Sequence, residues 1–140
     1  MVTKQISVFI ENRKGRLGDV LDVLKGGGVN IISMSLADTA EYGLLRIISN
    51  KPQEGKAALS AAGFSSMLTD VFIVSVPHTP GALQQILRVI SDEELNVEYM
   101  YGLSVGGDEA SIVVKTSDLE KADEVFAKHD IQTLSYNDLI

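Results

Sequence analysis

The sequence predicts an α+β fold in which one β-α-β-β-α-β unit occurs twice, and three observations carry that expectation. The chain overlays on itself at a shift of 66 residues, without a gap, for about 45 positions. Short runs rich in Ile, Val and Phe alternate, in the same order in each half, with apolar stripes of helical period. Glycine stands at the same strand-to-helix junction in both halves, as Gly15 and as Gly81. In the overlay Val8 meets Val74, Leu17 meets Leu83, Leu21 meets Leu87, Val23 meets Val89, Asn30 meets Asn96 and Met34 meets Met100. Apolar positions coincide as well: Val20 with Ile86, Leu24 with Ile90, Ile47 with Val113, Ile48 with Val114.

Gln5 to Ile10 and Val71 to Val76 are β-branched and aromatic runs, hence first strands. Leu17, Val20, Leu21 and Leu24 fall at i, i+3, i+4 and i+7, as do Leu83, Ile86, Leu87 and Ile90, so each set forms one apolar stripe on a helix. Gly26-Gly27-Gly28 ends the first helix, and Ser91-Asp92-Glu93-Glu94 is the weaker stop of its counterpart. Two strands follow in each half, about Val29 to Ala37 and Gly43 to Ser49, then about Asn96 to Val105 and Ala110 to Lys115. A polar turn joins the first pair and Gly106-Gly107-Asp108 the second. Ser117-Asp118-Leu119-Glu120 reads as a capping box with Ser117 as the cap, opening a helix buried through Leu119, Ala122, Val125 and Phe126. Ala58, Leu59 and Ala62, stopped by Gly63, do the same in the first half. Last strands close each copy at about Phe64 to Leu68 and Ile131 to Tyr136, giving modules 1–69 and 70–140.

That element order predicts a ferredoxin-like sheet of four antiparallel strands with both helices on one face. Ile47-Ile48, Val113-Val114 and Ile73 put apolar side chains on the other face too, which calls for a second cover. A copy of roughly 65 residues is marginal alone. The expectation is therefore two modules associated side by side, with spare apolar surface used in a homodimer.

Composition narrows the function. The chain has 140 residues, 45% of them apolar, a formal charge of −7 and no cysteine. The charge disfavours nucleic acid and anionic membrane as partners. The lack of cysteine removes disulfides, thiolate metal sites and thiol catalysis. No stretch has signal-peptide or membrane-span character, so the expected setting is cytoplasmic. His78 and His129 have no evident carboxylate motif beside them, and no nucleophile is framed by a base. No enzyme chemistry, metal or cofactor is expected.

The glycine loops carry the functional signal. Glycine before a helix permits a sharp turn, and the helix's first amides point outward with a dipole that favours a carboxylate or phosphate. Arg13, Lys14 and Arg16 add positive potential to the first loop, and Pro80 stiffens the second. The run ENRKGRLGDVLDVLKGGGVNI resembles the ACT domain, an amino-acid-sensing module, above all at the regulatory end of bacterial phosphoglycerate dehydrogenases. VPHTPGALQQILRVISDEELNV is similar to the general pattern of that family. The two copies cover nearly the whole chain and leave no catalytic domain within it.

The resemblance implies a free α-amino acid bound at the junction of two modules, between the loop of one and a strand of its neighbour. By position, Asn12 matches the loop asparagine and Asn30 the asparagine opening the second strand. Gly15 and the amides near Arg16 and Leu17 would meet the ligand carboxylate. The equivalents in the second copy are His78, Thr79, Gly81, Ala82, Leu83 and Asn96. An asparagine side chain can serve either end of a zwitterion. Lys14 replaces the family's common proline, Ile10 a histidine contact, and His78 the asparagine, so serine is not implied as the ligand.

Plainer readings stand beside these. Asn30 and Asn96 fit turn residues entering a strand, His78 fits a surface loop, and Tyr99 and Tyr101 fit a module interface or a pocket wall. If one copy alone forms a full site, the first loop has the better asparagine-and-amide match. A sensor of this kind implies a homodimer and a biosynthetic enzyme as a further partner. The alternative is a protein-interaction module with a degenerate ligand site, regulating a separately encoded metabolic enzyme.

Overall fold

The structure, a computed structural model, describes residues 1–38, 41–106 and 108–139. The predicted Gly106-Gly107-Asp108 turn and the first polar turn fall partly outside them. The chain forms two compact units, Lys4–Thr69 and Asp70–Ile140, the latter with Met1–Thr3.

In the first unit the elements are β1 (Thr3–Glu11), α1 (Arg16–Gly26), β2 (Ile31–Asp38), β3 (Tyr42–Ser49) and α2 (Pro52–Ala61), followed by the head of β4 (Ser65–Pro77). β3 pairs antiparallel with both β1 and β2, setting Ile47 opposite Ile6 on one side and Met34 on the other. The strand order is β2-β3-β1-β4. Alternate residues Ile6, Val8 and Ile10 of β1 join Leu45 and Ile47 of β3 to face Val20 and Leu24 of α1 and Leu59 of α2. Period 2 on the strands thus meets the 3.6-residue stripe of the helices.

The second unit repeats this with the rest of β4, α3 (Ala82–Asp92), β5 (Val97–Gly106), β6 (Glu109–Thr116), α4 (Leu119–Lys128), β7 (Thr133–Leu134) and a 3-10 turn at Tyr136–Leu139. Its strand order is β5-β6-β4-β7. Its core holds Phe72, Val74, Val76, Ile90, Val114, Ala122, Val125 and Phe126. The tandem α+β, ferredoxin-like fold with helices on one sheet face is as the periodicities predict. Ile48, Val71, Ile73 and Val113 are also buried yet belong to neither helix-facing cluster, so apolar character on both sheet faces is real.

Four local readings need correction. The closing strand of the first half and the opening strand of the second are one continuous β4, because Thr69-Asp70 offers neither glycine nor proline to break the run. The closing strand of the second half is two residues long; the chain turns after it, where the Ser135 amide donates to the Asp138 carboxylate at 2.7 Å. The ungapped overlay fails in the hairpins. Met34 sits opposite Ile47, but Met100 sits opposite Val114, so the shift becomes 67 from β6 onward. The extra residue is taken up at a register break between Gly102 and Ser104, which leaves Leu103 unpaired. Finally, Ser117 is not the cap of α4. Its hydroxyl accepts from Asn96 Nδ2 at 3.1 Å, and Asp118 caps instead, accepting from the Lys121 amide at 3.1 Å. Asp118→Ala should therefore cost about 1 kcal/mol in urea unfolding, and Ser117→Ala less.

Candidate ligand-binding site

Gly15 (φ +89°) and Gly81 (φ +84°) both adopt the left-handed conformation immediately before their helices. Side chains rarely accept that region, so glycine at this junction is a backbone requirement. No side chain caps α1 or α3. The first amide of each turns back into its own loop, the Arg16 N–H donating to the Arg13 carbonyl at 3.4 Å and the Ala82 N–H to the Thr79 carbonyl at 3.2 Å. The next two amides of each helix are left for an outside acceptor.

Each loop is tied back in the same way. The Asn12 amide donates to the Glu41 carbonyl at 3.0 Å, and the His78 amide to the Asp108 carbonyl at 2.6 Å. Next to each anchored loop lies a cavity. The first, about 320 Å3, is lined by Ile10, Glu11, Asn12, Arg13, Leu17, Leu36 and Gly43. The second, about 420 Å3, is lined at corresponding positions by Val76, Pro77, His78, Thr79, Leu83, Gly102 and Ala110, with Leu103, Ser111 and Ile112 in addition. The larger cavity is thus at the second loop, although the first has the better asparagine match.

The three cations of the first loop do not act together. Arg13 Nε pairs with Glu11 Oε2 at 2.8 Å. Arg16 folds over the Phe64 ring, 4.3 Å from its centroid, and reaches Asp19 at 3.2 Å. Lys14 is exposed. Sequence could not show the Arg16 contact, since Phe64 is distant in the chain.

Asn30 and Asn96 lie at the far end of α1 and α3 from Gly15 and Gly81, and line separate clefts. An 11-residue helix spans about 16 Å, so within one unit the loop and the strand asparagine cannot touch the same small ligand. The Asn96 side chain has a local structural role, its Nδ2 donating to Ser117 Oγ at 3.1 Å; at Asn30 it is the backbone N–H that donates, to Asn50 Oδ1 at 2.8 Å. The rings of Tyr99 and Tyr101 stack on each other, 6.5 Å between centroids, and neither lines the cavity at the second loop.

His129 does meet a carboxylate, one that no local motif announces: its Nε2 lies 3.2 Å from Glu93 Oε1, which also binds Lys128 Nζ at 3.1 Å. Lys128 first, then His129, holds the Glu93 carboxyl below its ordinary value. A depressed carboxyl adds stability above its unfolded pKa and loses it as pH falls through the folded one. This cluster is a surface ion pair network. Among the described residues, no group of three or more metal-ligating side chains comes together, and no helix is long and apolar enough to cross a membrane.

The family model of the ACT domain pair matches residues 1–140. The chain belongs to the ACT domain pair family. This ACT pair is similar to protein BT0572 from Bacteroides thetaiotaomicron, with 36% identity, a TM-score of 0.93, and coverage of 99% of this chain and 96% of that one. Its fold also resembles the regulatory subunit of aspartate kinase from Thermus thermophilus in its ligand-free form, at 16% identity and TM-score 0.66, covering 89% of this chain and 91% of that one. The corresponding Thermus flavus subunit matches at 17% identity and TM-score 0.63, covering 89% and 90%. No curated protein matches the ACT pair in sequence.

Proposed function

We propose that this ACT pair is a non-catalytic, cytoplasmic sensor that binds a free α-amino acid and regulates a separately encoded biosynthetic enzyme. The observation that carries this reading is the doubled cavity: two anchored loops, each turning through a left-handed glycine into an uncapped helix, each beside a recess of amino-acid size. The carboxylate is held by the amides that follow Arg16, at Leu17 and Gly18, or that follow Ala82, at Leu83 and Gln84. The ammonium is held by a side-chain or backbone oxygen of the loop, and Asn12 offers one in the first unit. The ligand side chain enters the recess.

Asn30 and Asn96 enter the site from a neighbouring module, since the loop of their own unit is out of reach. A ligand spanning modules favours one arrangement over another by its differential affinity, which is a means of signalling. Homodimer formation is part of the proposal, and it is supported by exposed Met34 and Leu36 on the outer strand β2 of the first unit. A sensor needs micromolar to millimolar affinity, on the order of 4 to 8 kcal/mol, within reach of a few charge-assisted hydrogen bonds.

The second reading is an interaction module with a degenerate site. It draws support from the first unit, where Arg13 is already paired with Glu11 and Leu36 occupies the recess wall. Titration calorimetry with the proteinogenic amino acids separates the two. Binding of at least one is expected, with Asn12→Ala weakening a ligand held in the first unit's loop, and Asn30→Ala one held in the loop of the neighbouring module it enters, each about 10- to 100-fold, the loss of a hydrogen bond to a charged group. Assembly measured by light scattering should survive both substitutions. No heat and no thermal shift with any amino acid would favour the interaction module.

A further inference from the structure

The two cavities share their plan but differ in one wall. Leu36 in the first corresponds to Gly102 in the second. Both sit on the helix-facing side of the equivalent strand, Leu36 opposite Leu45 and Gly102 opposite Ile112. A Cβ built on Gly102 would meet nothing within 4 Å, so the space is open. The register break just beyond it adds a second difference, turning the unpaired Leu103 into the cavity lining. The result is a recess of about 420 Å3 walled mainly by Val76, Pro77, Leu83, Leu103, Ala110 and Ile112. His78, Thr79 and Ser111 supply its polar groups. An apolar body with a few polar fixtures, in the size range of small-ligand pockets, is what a molecule with one polar end and one apolar end fits. The first cavity, by contrast, is narrowed by Leu36 and carries Glu11, Asn12 and Arg13 on its wall.

We infer that the second unit's cavity selects α-amino acids with a bulky apolar side chain, of leucine or phenylalanine size, and that Gly102 is the residue that sets this selectivity. The inference rests on the amino-acid-binding reading above and adds to it the side-chain class and the unit that binds. Burying a leucine- or phenylalanine-sized side chain separates these ligands from glycine and alanine by about 10- to 100-fold in affinity.

The test is calorimetry of the full chain with L-leucine, L-phenylalanine, glycine, L-alanine and L-aspartate, repeated on Gly102→Ala and Gly102→Leu. The expected result is preference for the two bulky apolar ligands, a graded loss through Gly102→Ala, and loss of at least tenfold in Gly102→Leu with unchanged far-UV circular dichroism. If Gly102→Leu fails to fold, Gly102→Ala with its single added methyl decides, and a loss that grows with ligand side-chain size is required. Binding of small or polar amino acids in preference, or apolar binding indifferent to both substitutions, overturns the inference and leaves amino-acid sensing standing. Binding of none of the five, with a response to some other proteinogenic amino acid, likewise overturns only the inference. A response to no amino acid overturns both.

Discussion

Phe126→Ala is expected to destabilise the protein by about 3–5 kcal/mol, a large part of the 5–15 kcal/mol that ordinarily separates folded from unfolded chains. Phe126 is 2% exposed, and its ring meets that of Phe72 edge to face, with centroids 5.0 Å apart and planes at 85°. Truncation removes both the buried ring area and the pair geometry, and leaves a void between α4 and β4 that neighbouring Val125 and Ala122 cannot fill. Urea unfolding followed by circular dichroism measures the loss. Amide exchange should show it first in the second unit, whose core includes both rings. A cost below about 1 kcal/mol would contradict the burial of that ring.

Gly81→Val carries the largest expected effect on binding. At φ +84° a β-branched residue is a true outlier, and holding it there costs about 1–3 kcal/mol. The turn relaxes instead, and the amides at the head of α3 lose their direction. If two of them hold a carboxylate, affinity at the second cavity should fall about 100-fold, the equivalent of about 3 kcal/mol. Gly81→Asn is the control, because asparagine tolerates the left-handed region far better than valine. It should retain most of the affinity. Equal loss in both would mean that the side chain obstructs the site, and no loss in either would remove the amides from the binding account.

Much of the fold was legible because periodicity reports burial directly. The stripe Leu83, Ile86, Leu87, Ile90 packs as its spacing requires, and every element of the duplicated order is present. What stayed hidden was the register of the hairpins. Ile47-Ile48 falls on Val113-Val114 at a shift of 66, whereas at 67 Ile48 falls on Lys115, so the apolar doublets favour the register that the hairpins do not adopt. Only the pairing of Met100 with Val114 reveals the other. The cap of α4 was ambiguous as well. Ser117 and Asp118 are both good caps, and Asn96, in the connection before β5, engages the serine.

The glycine loops could be found from sequence because their backbone geometry demands a residue type. The electrostatics of the first loop could not, since Arg16 is withdrawn by Phe64 from β4's approach. Gly102 was visible all along, set against Leu36 by the overlay. A missing side chain signals nothing, however, until the strand facing is known.

Length variation between the halves has been absorbed midway along a strand instead of at a hairpin tip. The single additional residue at Leu103 changes what lies above the sheet while Val114 and everything after it stay in phase with the first half. This gives the duplicated gene a place where insertion is inexpensive: one copy can be remoulded around a new guest as its scaffold, and the sister copy, stay as they were.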